Sequence, residues 1–232
     1  MSIRSLLTWV GLLGNSVPID DARIVVVSPH LDDAVLSLGA ALSHAVRRGA
    51  DVTVLTVLAG DPASSSPACW WDVQAGFRTA GDAATARRQE DARACSILGV
   101  ALQWLPFSDS LHGPVPEDEV VAALRTELQG FDLILLPGFP LAHPDHRLLN
   151  RLVLEQVQPQ ARMLLYAEQP YYLREGGGPP AGWKPATAAL PDRVKKVRAC
   201  RAYSSQLELL GDRRLSGRIA RFEVARGGEL IH

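Results

Sequence analysis

Ile24-Val25-Val26-Val27-Ser28-Pro29-His30-Leu31-Asp32-Asp33 is the stretch on which the fold turns. Its first four residues are an unbroken β-branched run. Such a run suits a strand buried on both faces, as in parallel sheets covered by helices. An imidazole and two carboxylates follow the strand at once. Open α/β folds keep their ligand sites outside the carboxyl ends of the strands. A second apolar run, Leu133-Ile134-Leu135-Leu136, precedes a second polar cluster, His143-Pro144-Asp145-His146. Two strand-end clusters of His and Asp predict a single mononuclear metal site with a spare acid and base.

Strand and helix patterns alternate outward from these runs. Residues 33–48 carry Val35, Leu38, Leu42 and Val46 at helical spacing and stop before Gly49, and residues 51–58 read as a strand. Residues 59–80 are rich in Gly, Pro and Ser around Trp70-Trp71 and read as a long loop over the strand ends. Helices are expected over 83–98, 116–128, 144–157 and 191–210, and strands over 102–105, 131–136 and 163–167. Residues 175–185 read as a flexible glycine-rich loop, and residues 218–226 as a further strand. Alternation of this kind predicts an α/β fold, a Rossmann-like, mostly parallel sheet with helices on both faces. The active site is expected at the carboxyl ends of the strands. Residues 1–22 are expected to be an extension packed on a single domain spanning 23–232.

Composition narrows the function classes. The chain has 232 residues, 47% of them hydrophobic, enough for a sizeable core. A formal net charge of -1 argues against a broad nucleic-acid or acidic-membrane footprint. No run reaches the roughly 20 apolar residues of a membrane span. The cysteines Cys69, Cys95 and Cys200 are scattered without a metal or disulfide spacing, which fits a reducing, cytoplasmic setting.

The chemistry follows from the spacing of the two clusters. His30 and Asp33 can converge on one ion while Asp32 points elsewhere, and His146 completes a His-Asp-His set. Three protein ligands with one open position is the catalytic zinc pattern, although another divalent first-row metal would suit the same donors. A bound metal lowers the pKa of water to about 7. Asp32 is then available as general base. His143 can protonate the leaving nitrogen or stabilise the oxyanion, with Asp145 holding its other ring nitrogen.

Pro29-His30-Leu31-Asp32-Asp33 and His143-Pro144-Asp145-His146 resemble the two motifs of the PIG-L/LmbE family of metal-dependent N-deacetylases. The resemblance implies a zinc enzyme that hydrolyses the acetamide of an N-acetylglucosaminyl compound, with His30, Asp33 and His146 as ligands, Asp32 as base and His143 as acid or electrostatic partner. Arg87-Arg88-Gln89-Glu90 and Tyr203-Ser204-Ser205-Gln206 are similar to two weaker family segments. By that resemblance Arg87, Asp109 and Gln206 contact the sugar. A tyrosine that some relatives carry two residues before the second motif is Leu141 here, so oxyanion stabilisation rests on the metal and His143 or on a residue from another loop. Family members often form trimers or hexamers, which makes a homo-oligomer an expectation.

Residues 61–81, 111–114 and 176–184 are expected to set the aglycone. Trp70, Trp71 and Trp183 within them lean toward a large or apolar one, such as a secondary-metabolite or glycolipid-like glycoside. Two rivals stand beside this reading: a metal-dependent hydrolase of a non-sugar amide or ester, and a binding module with a vestigial metal site.

Overall fold

A computed structural model describes residues 16–175, 181–210, 217–219 and 229–232. Its strands are β1 (Arg23–Ser28), β2 (Asp51–Thr56), β3 (Ala101–Trp104), β4 (Leu133–Phe139), β5 (Arg162–Ala167), β6 (Lys184–Pro185) and β7 (Leu230–Ile231). Its helices are α1 (Asp33–Arg47), α2 (Trp70–Gln74), α3 (Ala80–Leu98), α4 (Glu117–Glu127), α5 (Pro144–Arg151), α6 (Tyr171–Glu175), α7 (Leu190–Cys200) and α8 (Ser204–Leu209). A π-helical stretch, Leu152–Val157, continues α5. The strands form one sheet in the order β3-β2-β1-β4-β5-β7-β6. β1 to β5 are mutually parallel, and β7 runs antiparallel to both β5 and β6.

The β-branched run of β1 lies inside this sheet, between β2 and β4, because it is apolar on both faces. Ile24, Val25, Val26 and Val27 are each 0% exposed. Successive side chains on a strand point to opposite faces. Ile24 and Val26 therefore join one core, with Leu38, Leu42, Leu98 and Ala199 from α1, α3 and α7. Val25 and Val27 join the other, with Val121, Leu124, Leu149 and Val153 from α4, α5 and the π-helical stretch. Each such side chain contributes about 1.5–3 kcal/mol on burial.

From β1 the chain steps outward to β2 and β3, then returns to β4 on the other side of β1. The strand order thus reverses between β1 and β4. In an open sheet that reversal opens a crevice at the carboxyl ends of the two strands. The first polar cluster leaves β1 into it and the second leaves β4.

Local chemistry explains where elements depart from the sequence pattern. α3 starts at Ala80, three residues early, because Thr79 Oγ1 accepts the Asp82 N–H (3.0 Å) and Asp82 accepts the Thr79 N–H (3.2 Å). β4 runs on to Phe139 through a register shift at Pro137/Phe139. A Cβ on Gly138 would lie 2.4 Å from that of Leu165, so only glycine lets the bulge press against β5. The bulge turns the chain toward His143. The loop over 59–80 carries α2, and the helix expected over 191–210 is two helices. The break admits Tyr203 to the core, where its phenol donates to Asp91 (2.6 Å).

Residues 1–15 of the expected extension and the glycine run 176–180 lie outside the described residues, as does most of the strand expected over 218–226. Val17 is held by Pro185 and Thr187 through backbone hydrogen bonds of 2.9 and 3.0 Å. Among the described residues no helix is long and apolar enough to cross a membrane.

Candidate active site

His30, Asp33 and His146 meet in the crevice between β1 and β4. Asp33 Oδ2 lies 3.2 Å from His30 Nδ1 and 3.1 Å from His146 Nε2, and the two ring nitrogens are 3.2 Å apart. Each ring is held from behind by a carboxylate. Asp145 Oδ2 lies 3.0 Å from His30 Nε2, and Glu168 Oε1 lies 2.5 Å from His146 Nδ1. A neutral imidazole that donates through one nitrogen presents a lone pair on the other. In the neutral, metal-binding form of the rings the outer carboxylates therefore turn the lone pairs of His30 Nδ1 and His146 Nε2 toward Asp33. Ligands about 2.0–2.2 Å from a tetrahedral ion are about 3.3–3.6 Å apart. The donor set and its triangle fit one small divalent ion.

The outer carboxylates are themselves anchored. Asp145 also accepts the Ser110 N–H (3.3 Å), and Glu168 Oε2 accepts the Leu141 N–H (2.7 Å). Asp145 was expected to hold His143, but its tight ring contact is His30. His143 Nδ1 lies 3.8 Å from the Asp145 carboxylate and instead accepts the Asp145 backbone N–H (3.3 Å). That bond caps α5 and leaves the proton of a neutral His143 ring on Nε2.

Asp32 stays out of the ligand triangle. It sits at the entry to α1 with φ 155°, a conformation rare for a residue with a side chain, and its N–H is tied to the His30 carbonyl at 3.0 Å. This turn is what parts the two adjacent carboxylates.

Electrostatics differ sharply between neighbours. Burial and the charge of Asp33 push the Asp32 carboxyl well above the usual range. Burial also works against the charge on Asp33, but His146 and His30 outweigh it and hold the carboxyl far below that range. For His146 burial opposes protonation, yet Asp33 and Glu168 raise it to about 9. His143 is lowered to about 4 by burial and by the adjoining His30 and His146.

Asp32, Asp33, His30 and His143 open into a cleft of about 280 Å³, near the lower end of the ~300–1,000 Å³ typical of ligand pockets. Arg87, Asp109 and Gln206 all line it. None acts alone. Arg87 contacts the buried Asp72 at 2.5 Å, His112 lies between Asp72 (3.2 Å) and Asp109 (3.0 Å), and Gln206 accepts the Trp71 indole N–H (3.4 Å). Glu90 accepts from the hydroxyls of Ser204 (2.7 Å) and Ser205 (2.7 Å) rather than pairing with Arg87. The two weaker sequence segments are thus each other's partners, locking α8 to α3. Trp70 is 59% exposed at the mouth. Trp183, expected near the aglycone, packs instead against Phe139 and His232.

Sequence reasoning missed Glu168 and Tyr171. Both follow β5, and a carboxylate directly after a buried strand was the available signal. Tyr171 lines the cleft, its ring 5.5 Å from that of His146, and its hydroxyl makes no hydrogen bond among the described residues.

Fold and site together describe an open α/β sheet carrying a candidate His/Asp metal centre at the point where its strand order reverses. Residues 25–157, more than half of the chain, match the family model described as PIG-L, GlcNAc-PI de-N-acetylase, and the chain belongs to that family. A deacetylase of the teicoplanin biosynthesis pathway, solved as a bog complex, superimposes with a TM-score of 0.75 at 30% identity, covering 90% of this chain and 96% of that one. The zinc inhibited form of teicoplanin deacetylase Orf2 is 28% identical over 90% of this chain and 96% of its own, with a TM-score of 0.75. The 2'-N-acetylparomamine deacetylase of Streptomyces fradiae is 31% identical over 169 residues, 64% of this chain. The chain spans little more than half of that relative's length, 57%.

Proposed function

We propose that this chain is a zinc-dependent N-deacetylase that removes the acetyl group from an N-acetylglucosamine-type sugar within a secondary-metabolite glycoside. The observation that carries the reading is the convergence of two tautomer-locked histidines and Asp33, with Asp32 beside them and unligated. A 31% identical paromamine deacetylase and a 30% identical teicoplanin-pathway deacetylase support the substrate class. The cleft has room for about one sugar, which leaves the aglycone at the mouth, beside exposed Trp70.

His30, Asp33 and His146 would hold the ion, which when bound would polarise the acetamide carbonyl and ease deprotonation of water. Asp32, with its raised affinity for a proton, takes a proton from the attacking water and passes it to the departing amine. His143, neutral and protonated on Nε2, is suited to donate a hydrogen bond to the developing oxyanion rather than to serve as the acid. Tyr171 offers a second, unengaged donor in the cleft, filling the role that Leu141 cannot. Asp145 and Glu168 orient the ligating rings. Arg87, Asp109 and Gln206 bind the sugar hydroxyls.

The reading extends to a single domain over 23–232. The free thiols Cys69, Cys95 and Cys200 support a cytoplasmic setting. A mass-spectrometric screen of N-acetylglucosaminyl glycosides, run with and without chelator, tests the function. Loss of one acetyl unit that chelator abolishes is expected. Turnover confined to non-sugar amides or esters would overturn the substrate class.

A further inference from the structure

A second cluster of metal-ligand side chains lies at the rim of the cleft. Cys69 and Asp72 occupy the N-cap and first turn of α2, and His112 closes the 3-10 turn Ser110–His112. One ligand atom from each of the three lies within 4.8 Å of the others. Asp72 is fully buried. Its Oδ1 contacts Arg87 at 2.5 Å, and its Oδ2 faces His112 Nε2 at 3.2 Å. Asp72 Oδ1 and Oδ2, Arg87 Nη2 and His112 Nε2 are all buried without an aligned hydrogen-bond partner. Asp72 Oδ2 and His112 Nε2 meet at short range without the alignment of a donor and an acceptor.

His112 Nδ1 lies 3.0 Å from Asp109 Oδ1. A neutral ring that donates there turns the Nε2 lone pair toward Asp72. Two lone-pair atoms buried face to face would be satisfied by a cation between them. The carboxylate behind the imidazole also repeats the arrangement at His30 and His146, where an outer carboxylate sets the tautomer of a candidate ligand.

We propose that Cys69, Asp72 and His112 form a second divalent-metal site, selective for zinc and similar thiophilic ions. Thiolate, imidazole and carboxylate together match that class and not magnesium or calcium. On binding, the Cys69 sulfur–hydrogen bond gives way to a sulfur–metal bond and the proton leaves to solvent. Charge balances: the thiolate, Asp72 and Asp109 stand against the ion and the Arg87 guanidinium. The ion draws α2 against the 3-10 turn, closing the rim beside Arg87 and Asp109. Zinc beyond one equivalent therefore inhibits by blocking the sugar subsite. This consequence rests on the deacetylase reading, whereas the site itself does not.

Cobalt titration of the metal-free full chain separates the two claims. The strand-end triangle contains no sulfur, so a thiolate-to-cobalt charge-transfer band reports the rim alone. The band is expected to grow with the second equivalent, and Cys69→Ser and His112→Gln are each expected to lose both band and second equivalent while keeping the first. Circular dichroism confirms that both variants are folded. With zinc, Cys69→Ser is expected to keep wild-type turnover at one equivalent and to shift the inhibition midpoint upward by about tenfold or more. A single equivalent with no band overturns the site. A band that survives Cys69→Ser or His112→Gln overturns this ligand set. A Cys69-dependent band without inhibition at excess zinc overturns only the blocking of the sugar subsite.

Discussion

The strand-end triangle and the rim cluster use the same residue types but are built differently. His30, Asp33 and His146 are fixed by β1, β4 and the helices that follow them, with Asp145 and Glu168 behind the rings. Asp72, Arg87, His112 and Asp109 come from a five-residue helix, the flank of α3 and a single 3-10 turn. A sheet edge holds ligands at fixed separations. A rim of short elements is held by the ion pairs it contains. The proposed chemistry thus falls on the rigid region and the proposed sugar contacts on the adaptable one.

Several substitutions break or sharpen that contrast. The largest effect is expected for Asp32→Ala. It should keep a full equivalent of metal by elemental analysis while kcat falls about 10²–10⁴-fold, because only a proton carrier is lost. Near-normal turnover in the metal-replete variant would remove Asp32 as base.

Acidity acts next, and on the triangle. His146 holds a proton up to about 9 in the metal-free chain, so an entering ion must displace it. Affinity therefore weakens as pH falls below that value, by about tenfold per pH unit for one proton. Titration calorimetry in buffers of different ionisation enthalpy should show proton release at pH 7. No release would contradict the raised His146.

Glu168→Gln keeps a hydrogen-bond partner for His146 but removes the charge behind it. Zinc affinity should fall about 10–100-fold in a chelator competition, with the fold unchanged by circular dichroism. The smallest effect belongs to the rim. Asp72→Asn should loosen Arg87 and His112 and raise KM by about tenfold with little change in kcat. A fall in kcat alone would place Asp72 in the chemistry rather than in binding.

The same contrast explains what could be read in the chain. β1 was legible because Ile24–Val27 has no polar face, so only a central parallel strand accommodates it. The triangle was legible because each cluster follows such a strand closely, His30 after β1 and His143 a short turn after β4. Asp145 was read only against His143, since its spacing to that ring says nothing of His30, which lies across the crevice. Glu168 gave only a weak signal, being one carboxylate after one strand. The rim was readable only in part: Arg87 and Asp109 stood in segments similar to a family, but Asp72 and His112 lie in loops without periodicity. Their meeting depends on how 59–80 and 106–114 fold over the sheet edge, which no local spacing encodes. The break before α8 was hidden for a related reason, because Tyr203 is drawn inward by Asp91, far away in sequence.

Anomalous diffraction at the zinc edge, from crystals grown with one equivalent of zinc, tests the central claim most directly. A single peak is expected about 2.0–2.2 Å from His30 Nδ1, Asp33 Oδ2 and His146 Nε2, with Asp32 outside bonding distance. A peak ligated by Asp32, or one seated away from the two histidines, would contradict it.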